Sequence, residues 1–394
     1  MLLLVDPTLI HLLFLMGMYE HLLIQKCFRL TSFALMVSVI VAQGIIGVGS
    51  KSAAASRASN NYPMTSGMKN HDCIDTSVFA QTFYSGRQII TCVRFNDTTY
   101  YLRDRSKGKG IITLRSGDDE GGDYISRMPG WFFQEKDQFA LDVHYGVSQT
   151  YMFYKTLFNR NSIDNNGCAI FSYVNDPNFP DNAVWYGNNL RIGNQTISGN
   201  GIATLDIIGH ELTHGVTAHT SRLRPGGESG AISESISDIM GKSIEFWSDP
   251  NASSWIISNK MNYKVRDMSD PKLYNQPDTY KDIALWYRGG SSDKNDHINS
   301  GVGNYMFYLL VNGGEGTNSN GKQYKVRKIG LGASDSIIYR CETVYLQSNS
   351  QYCDWRDACI RSATDLFGQG SVQLQSVKDA WRAVGVPSCR EIYR

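Results

Sequence analysis

The chain has 394 residues, 42% of them hydrophobic, which is enough to bury a sizeable core and to build two lobes. Its 38 basic side chains are balanced by 37 acidic ones, for a formal net charge of +1 with no long block of one sign. That balance excludes nucleic acid, and a membrane surface beyond any N-terminal segment, as an electrostatically recruited partner.

Along the chain, residues 1–50 differ in kind from the rest. The stretch from Leu30 to Ser50 has no charged side chain, follows Lys26 and Arg29, and leads into Lys51-Ser52-Ala53-Ala54-Ala55-Ser56, small residues suited to signal cleavage. A targeting segment is predicted here: a cleaved export signal, with an uncleaved single-pass membrane anchor as the alternative. Residues 51–85, rich in Ser, Ala, Asn and Gly, read as a flexible spacer. Residues 86–204 alternate short Val, Ile, Phe, Tyr and Thr runs with Gly, Asn, Asp and Pro clusters, which predicts a strand-rich lobe. One helix interrupts it from Phe139 to about Asn159, with Ala140, Val143, Val147, Met152 and Leu157 among its apolar positions. Residues 205–390 read as mainly helical, ending in runs from Trp355 to Phe367 and from Ser371 to Val384. The fold class is therefore α+β, with a cleft where the two lobes meet.

The first helix of the second half carries the most informative motif, His210-Glu211-Leu212-Thr213-His214. Leu205, Ile207, Ile208, Leu212 and Val216 form an apolar stripe at helical spacing, so the two histidines lie four apart on one helix face and converge on a common point. A catalytic zinc takes three protein ligands and leaves a position to water, so one more donor is needed. Glu234 is the candidate, on a second helix whose apolar side is Ile232, Ile236, Ile239, Met240 and Ile244. Asp238, four residues on, faces the same site. Ser229 or Ser233 is expected to cap this helix, and Gly226, Gly227 and Gly230 to make its connection flexible.

Cysteine usage agrees with export. Beyond Cys27 in the targeting segment there are seven cysteines and no CxxC pair, so structural disulfides are expected. The pairs to test are Cys73 with Cys92, and Cys389 with Cys353 or Cys359; Cys341, in an apolar run, is the expected buried free thiol. Sequons begin at Asn96, Asn194 and Asn251.

Five blocks, in order, resemble the thermolysin family of zinc metalloendopeptidases across about residues 90–388. They are Asp181-Asn182-Ala183-Val184-Trp185, Gly209 to Thr217 with Ser229 to Asp238, Arg266 to Pro271, His297 to Gly301, and Ser362 to Leu366. The resemblance implies a two-lobed zincin fold and a monomeric, secreted endopeptidase that acts on polypeptides, cutting before apolar residues. It implies His210, His214 and Glu234 as zinc ligands, Glu211 as the general base toward a zinc-activated water, and Asp238 as the partner that fixes the His210 tautomer. His297 would donate to the oxyanion, oriented by Asp293 or Asp296. Arg266 would grip a substrate carbonyl, Asn182 and Ala183 would bind substrate backbone, and Ile207 and Val265 would wall a specificity pocket.

Departures from the family pattern bear on rate and stability. A tyrosine that supports the oxyanion is replaced by Pro225. Of the carboxylates of a paired calcium site only Asp206 and Glu245 remain, which leaves at most a reduced calcium site. The segment between targeting sequence and catalytic region is short for the family's pro-region. A weak or inactive zinc-bearing binding or inhibitory protein on the same scaffold is the rival reading, against which Glu211 speaks, since a structural metal needs no base beside it.

Overall fold

The computed structural model describes residues 73–392 apart from 118–121, 132–136, 194–201, 250, 253 and 290–292. The expected targeting segment, most of the spacer and the sequon at Asn194 lie outside the described residues. Among those residues no helix is long and apolar enough to cross a membrane.

In the N-terminal half the described strands are β1 (Ile74–Gln81), β2 (Arg87–Asn96), β3 (Thr99–Tyr101), β4 (Arg103–Asp104), β5 (Ile111–Arg115), β6 (Ile125–Ser126), β7 (Ile170–Asp176), β8 (Ala183–Tyr186) and β9 (Asn189–Gly193). They form two sheets, ordered β1-β2-β3-β6 and β4-β5-β7-β9-β8. Strand β1 corrects the expected extent of the spacer, since residues 74–81 pair with β2 along their whole length, Ile74 opposite Arg94 through Gln81 opposite Arg87. Most of its side chains stay partly exposed, so the apolar alternation that marks a half-buried strand is missing there. In the second sheet β5, β7 and β9 run parallel, while β8 pairs antiparallel with β9 and closes the edge, Ala183 opposite Ile192 and Trp185 opposite Leu190.

Helix α1 (Gln138–Phe158) buries Ala140, Val143, Val147 and Phe153, but Met152 and Leu157, read as part of its apolar face, are 37% and 44% exposed. His144 ties α1 to both sheets. Its Nε2 faces the Thr91 carbonyl at 2.9 Å and its Nδ1 meets the Thr113 hydroxyl at 2.9 Å. The carbonyl can only accept, so Nε2 carries the proton and Nδ1 accepts from Thr113. Burial pushes this histidine down to about 4, so it is neutral.

Helices α2 (Leu205–Ala218) and α3 (Gly227–Ser248) pack directly on one another. Their approach depends on two glycines. A Cβ at Gly241 would lie 2.3 Å from the Asp206 carbonyl oxygen, and one at Gly209 would lie 2.9 Å from Ile244 Cδ1. Ile232, Ile236, Ile239, Met240 and Ile244 are all fully buried along the same helix. The two-stranded ribbon β10 (Ile256–Ile257) and β11 (Arg266–Asp267) follows, then α4 (Asp293–Asn299), α5 (Gly301–Asn312), the hairpin β12 (Gly314–Thr317) and β13 (Gln323–Val326), α6 (Leu331–Arg340), α7 (Tyr352–Phe367), α8 (Val372–Ala383) and α9 (Cys389–Ile392). Helix α7 begins with a reciprocal Gln351 and Asp354 capping box, and the Ser371 hydroxyl caps α8 by accepting from the Leu374 N–H at 3.2 Å.

Of the two partners open to Cys389, the structure selects Cys353, with Cα atoms 5.0 Å apart. Cys73 and Cys92, by contrast, are free. The β1–β2 register sets Cys92 opposite Thr76, three residues along from Cys73, and so out of reach across the strand pair. Cys341 is free and buried as expected, its Sγ 3.2 Å from that of Cys359. The bond between Cys353 and Cys389 spans 36 residues and ties α9 to α7. Cys389→Ser is expected to lower stability by about 2–4 kcal/mol, read as a fall in Tm that added reductant reproduces in the unaltered chain.

Candidate metal centre and active site

The α2–α3 pair forms a ladder of polar contacts. Asp206 meets Lys242, His210 meets Asp238, and His214 meets Glu234; each step advances four residues along α2 and retreats four along α3. One helical turn separates each rung from the next, which is why these groups stack along an otherwise apolar interface.

At the top of this ladder three donor atoms converge. His210 Nε2 and His214 Nε2 lie 3.1 Å apart, and the Glu234 oxygens lie 3.3 Å from each of them. Two imidazole nitrogens and a carboxylate at that spacing match three ligands of one tetrahedral ion with bonds of about 2.0–2.1 Å. Glu234 Oε2 is buried and faces imidazole nitrogens, 3.3 Å from His210 Nε2 and 3.7 Å from His297 Nε2, the setting of a carboxylate oxygen that shares a cation with its neighbours. The residues present therefore fit zinc.

The surroundings fix each ligand. Asp238 Oδ1 accepts from His210 Nδ1 at 2.9 Å, which turns the Nε2 lone pair toward the metal position. Asp238 is itself held by Arg266, whose Nε and Nη2 donate at 2.8 and 2.7 Å, and by the Asn304 amide at 2.8 Å. Burial opposes the Asp238 charge, but Arg266 and His210 overcome it and hold the carboxyl far below the usual range. Burial likewise opposes charge on His210, yet hydrogen bonds to Asp238 and Glu234 push its pKa up to about 10 when no metal is bound. Glu234, facing His214, His297 and His210, is held well below the carboxylate range despite its burial. A pocket with such a pull on positive charge suits a dication. His214 Nδ1 lies 3.3 Å from the Ser233 hydroxyl and 3.2 Å from that of Ser237.

Glu211 is buried beside the ligands, its Oε1 4.0 Å from His210 Nε2, and its Oε2 accepts the Trp185 N–H at 2.7 Å. Burial raises its pKa, the neighbouring imidazoles pull the other way, and the net shift is upward. A carboxylate moved up toward neutrality is a better proton acceptor. Trp185 lies on edge strand β8, so the base and the strand edge are locked together. Ala183 is buried there, while the exposed Asn182 accepts the Ala183 N–H on its own Oδ1 at 2.9 Å.

His297, on α4, puts its Nε2 3.7 Å from Glu234 Oε2, and its side chain is 42% exposed. Of its two expected orienting carboxylates, Asp296 accepts the Gly226 N–H at 2.7 Å, and the side chain of Asp293 lies outside the described residues.

Two profiles of one family cover the chain in succession, the thermolysin metallopeptidase catalytic domain over residues 53–218 and its alpha-helical domain over residues 221–386. The chain belongs to the thermolysin family. The chain is 34% identical over 311 residues to a bacillolysin of Bacillus cereus, a match covering 73% of this chain and 51% of that protein. It is 35% identical over 324 residues to a thermolysin of Bacillus sp. (strain EA1), covering 76% and 57%. The chain thus spans a little over half the length of these relatives. Its fold is similar to that of the precursor of protealysin, a metalloproteinase from Serratia proteamaculans, with a TM-score of 0.56 and 23% identity over 70% of this chain and 87% of that one. The thermolysin-family boundary falls just after α2, so the family's first domain includes the HExxH helix and reaches back into residues expected to be spacer.

Several expectations need revision in this thermolysin-family chain. Helix α3 begins at Gly227, so neither Ser229 nor Ser233 caps it, and Gly227 and Gly230 are helical rather than linker residues. The Gly226 N–H is held by Asp296, and a Cβ at Gly230 would strike that carboxylate at 2.2 Å, so these glycines serve close packing. Arg266 is buried, and the two donors described above bind Asp238. Asp206 and Glu245 do converge, but on Lys242 rather than on an open cation site, with Nζ donating at 2.9 and 2.6 Å. Ser233 faces His214 rather than capping α3, and Ser237, Asn304 and Lys242 join the site without having been singled out in the sequence, although the four-residue ladder is a signal able to find Lys242.

Proposed function

We propose that the chain is an exported, zinc-dependent metalloendopeptidase that hydrolyses internal peptide bonds, with a preference for cleavage before apolar residues. The observation that carries the reading is Glu211, a buried carboxylate with a raised pKa beside a three-donor metal position and tethered to an edge strand. His210, His214 and Glu234 would hold zinc, which when bound supplies Lewis acidity toward a water molecule and the scissile carbonyl. Glu211 takes a proton from that water and delivers it to the leaving amine. His297, partly exposed beside Glu234, donates to the developing oxyanion. The outer edge of β8 offers the Ala183 carbonyl for strand pairing with an extended substrate, its N–H being held by Asn182 Oδ1, and the Asn182 amide N–H adds a side-chain contact. Arg266, while holding Asp238, has a further Nη1 donor for a substrate carbonyl. Buried Ile207 and half-buried Val265 support an apolar pocket on the leaving-group side.

Pro225 is exposed and has no hydroxyl or N–H to offer the oxyanion, so the rate is expected to fall below that of a tyrosine-bearing relative. The purified protein, loaded with zinc, should cleave casein and a peptide with an apolar residue after the scissile bond, and a zinc chelator should abolish that cleavage. Stoichiometric zinc with both substrates left intact in a folded sample would overturn the reading in favour of a binding protein.

A further inference from the structure

The lowest rung of the α2–α3 ladder, which the proposed peptide hydrolysis does not use, is a buried cation with every donor engaged. Lys242 is fully buried. Its Nζ donates to Asp206 Oδ2 at 2.9 Å, to Glu245 Oε2 at 2.6 Å and to the Ile256 carbonyl at 2.8 Å. An ammonium group has three hydrogens, and all three are engaged. The Phe246 ring lies on the same side, its centroid 5.9 Å from Nζ. Asp206 is equally complete, since Oδ2 also accepts the Ser258 N–H at 2.8 Å, and Oδ1 accepts the Thr204 hydroxyl at 2.6 Å and the Ile207 N–H at 3.0 Å.

This arrangement does not fit calcium. That ion gathers six to eight oxygens at about 2.3–2.6 Å, whereas here two carboxylates and a carbonyl enclose a nitrogen at longer distances. Burial alone would drive Lys242 toward its neutral form, but the two carboxylates keep it protonated. Asp206, paired with Lys242 and three further donors, is held below the usual carboxylate range.

We propose that Lys242 is a built-in cation that takes the place of a divalent ion between Asp206 and Glu245, bracing the metal-ligand helices without calcium. The brace reaches the active site by two routes. Asp206 and Lys242 each lie one helical turn from His210 and Asp238, and both also bind the β10 segment, through Ser258 and Ile256. Strand β10 pairs with β11, where Ile257 faces Arg266, the residue that holds Asp238. The inference is independent of whether the chain cleaves peptides.

Thermal unfolding tests it, with calcium stripped by a chelating resin, zinc restored, and calcium then added back. The unaltered chain is expected to keep its Tm within about 2 °C across the calcium series, and Lys242→Ser to lose about 10 °C without calcium, as for a buried pair stripped of one partner. Removing the lysine leaves an acidic cradle open to an ion, so calcium should recover a measurable part of that loss. Glu245→Gln provides the control if Lys242→Ser fails to fold, because it retains the lysine and should respond to calcium no more and no less than the unaltered chain. The proposal is overturned if the unaltered chain gains several degrees from calcium and Glu245→Gln abolishes that gain. It is equally overturned if folded Lys242→Ser gains no more from calcium than the unaltered chain does.

Discussion

Replacing Glu211 with Gln is expected to leave the zinc content of the protein unchanged and to lower peptide hydrolysis by about 10²–10⁴-fold, the range general-base catalysis contributes. The separation of the two readouts follows from the local geometry. Glutamine has the shape of glutamate, and its amide oxygen can still accept the Trp185 N–H that Glu211 Oε2 accepts at 2.7 Å, so the edge strand should keep its place. The metal position is defined by His210, His214 and Glu234, none of which hydrogen-bonds Glu211. What disappears is a proton acceptor. Because burial raises the Glu211 pKa, kcat/KM in the unaltered chain should fall on the acid side as this group protonates, and that limb should vanish from the residual activity of the variant. Zinc measured by atomic absorption together with a pH profile on one peptide decides the matter. Undiminished cleavage would remove Glu211 from the role, while loss of zinc would make it a structural residue.

Much of this site was legible because its chemistry sits on regular helices. The apolar stripe through Leu205, Ile208, Leu212 and Val216 fixes the orientation of His210 and His214, and all four of those residues are buried. Periodicity on α3 did the same for Glu234 and Asp238. The groups that escaped notice act across space rather than along a helix. Asn304 reaches Asp238 from α5, and the capping partner of Gly226 is Asp296, 70 residues away, a contact that no local signal encodes. Lys242 was hidden differently, since a lysine on a helix is usually solvated and only the opposing Asp206 and Glu245 reveal it as interior. Strand β1 escaped because its apolar and polar side chains do not alternate and most stay partly exposed, so its existence rests on backbone pairing with β2. For Cys389 the sequence left Cys353 and Cys359 open, and the choice of Cys353 depends on how α9 folds back onto α7.

Asp238→Ala should be the most damaging single change outside the metal ligands, with a loss of about 3–5 kcal/mol in stability, the cost of breaking a buried ion pair by removing one partner. Three groups lose their acceptor together: the two Arg266 donors at 2.8 and 2.7 Å, the Asn304 amide, and His210 Nδ1. The stranded guanidinium accounts for most of the loss because Arg266 is buried, and burial penalises its charge once Asp238 is gone. Zinc affinity should fall by about 10–100-fold as His210 loses the bond that fixes its tautomer. Asp238→Asn separates shape from charge. The amide oxygen can still accept from His210, so zinc affinity should fall less than in the alanine variant, whereas the ionic hold on Arg266 is lost. The pH dependence gives the sign. The Asp238 carboxyl is held far below its unfolded value of about 3.9, so its stabilisation is complete above that pH and is lost as pH falls toward the folded value. Below about pH 4 the unaltered chain should therefore lose stability more steeply than Asp238→Asn, measured by denaturant unfolding with zinc present. Parallel acid limbs in the two proteins would mean that Arg266 does not depend on the Asp238 charge, and the bracing assigned to this pair would have to come from elsewhere in the ladder.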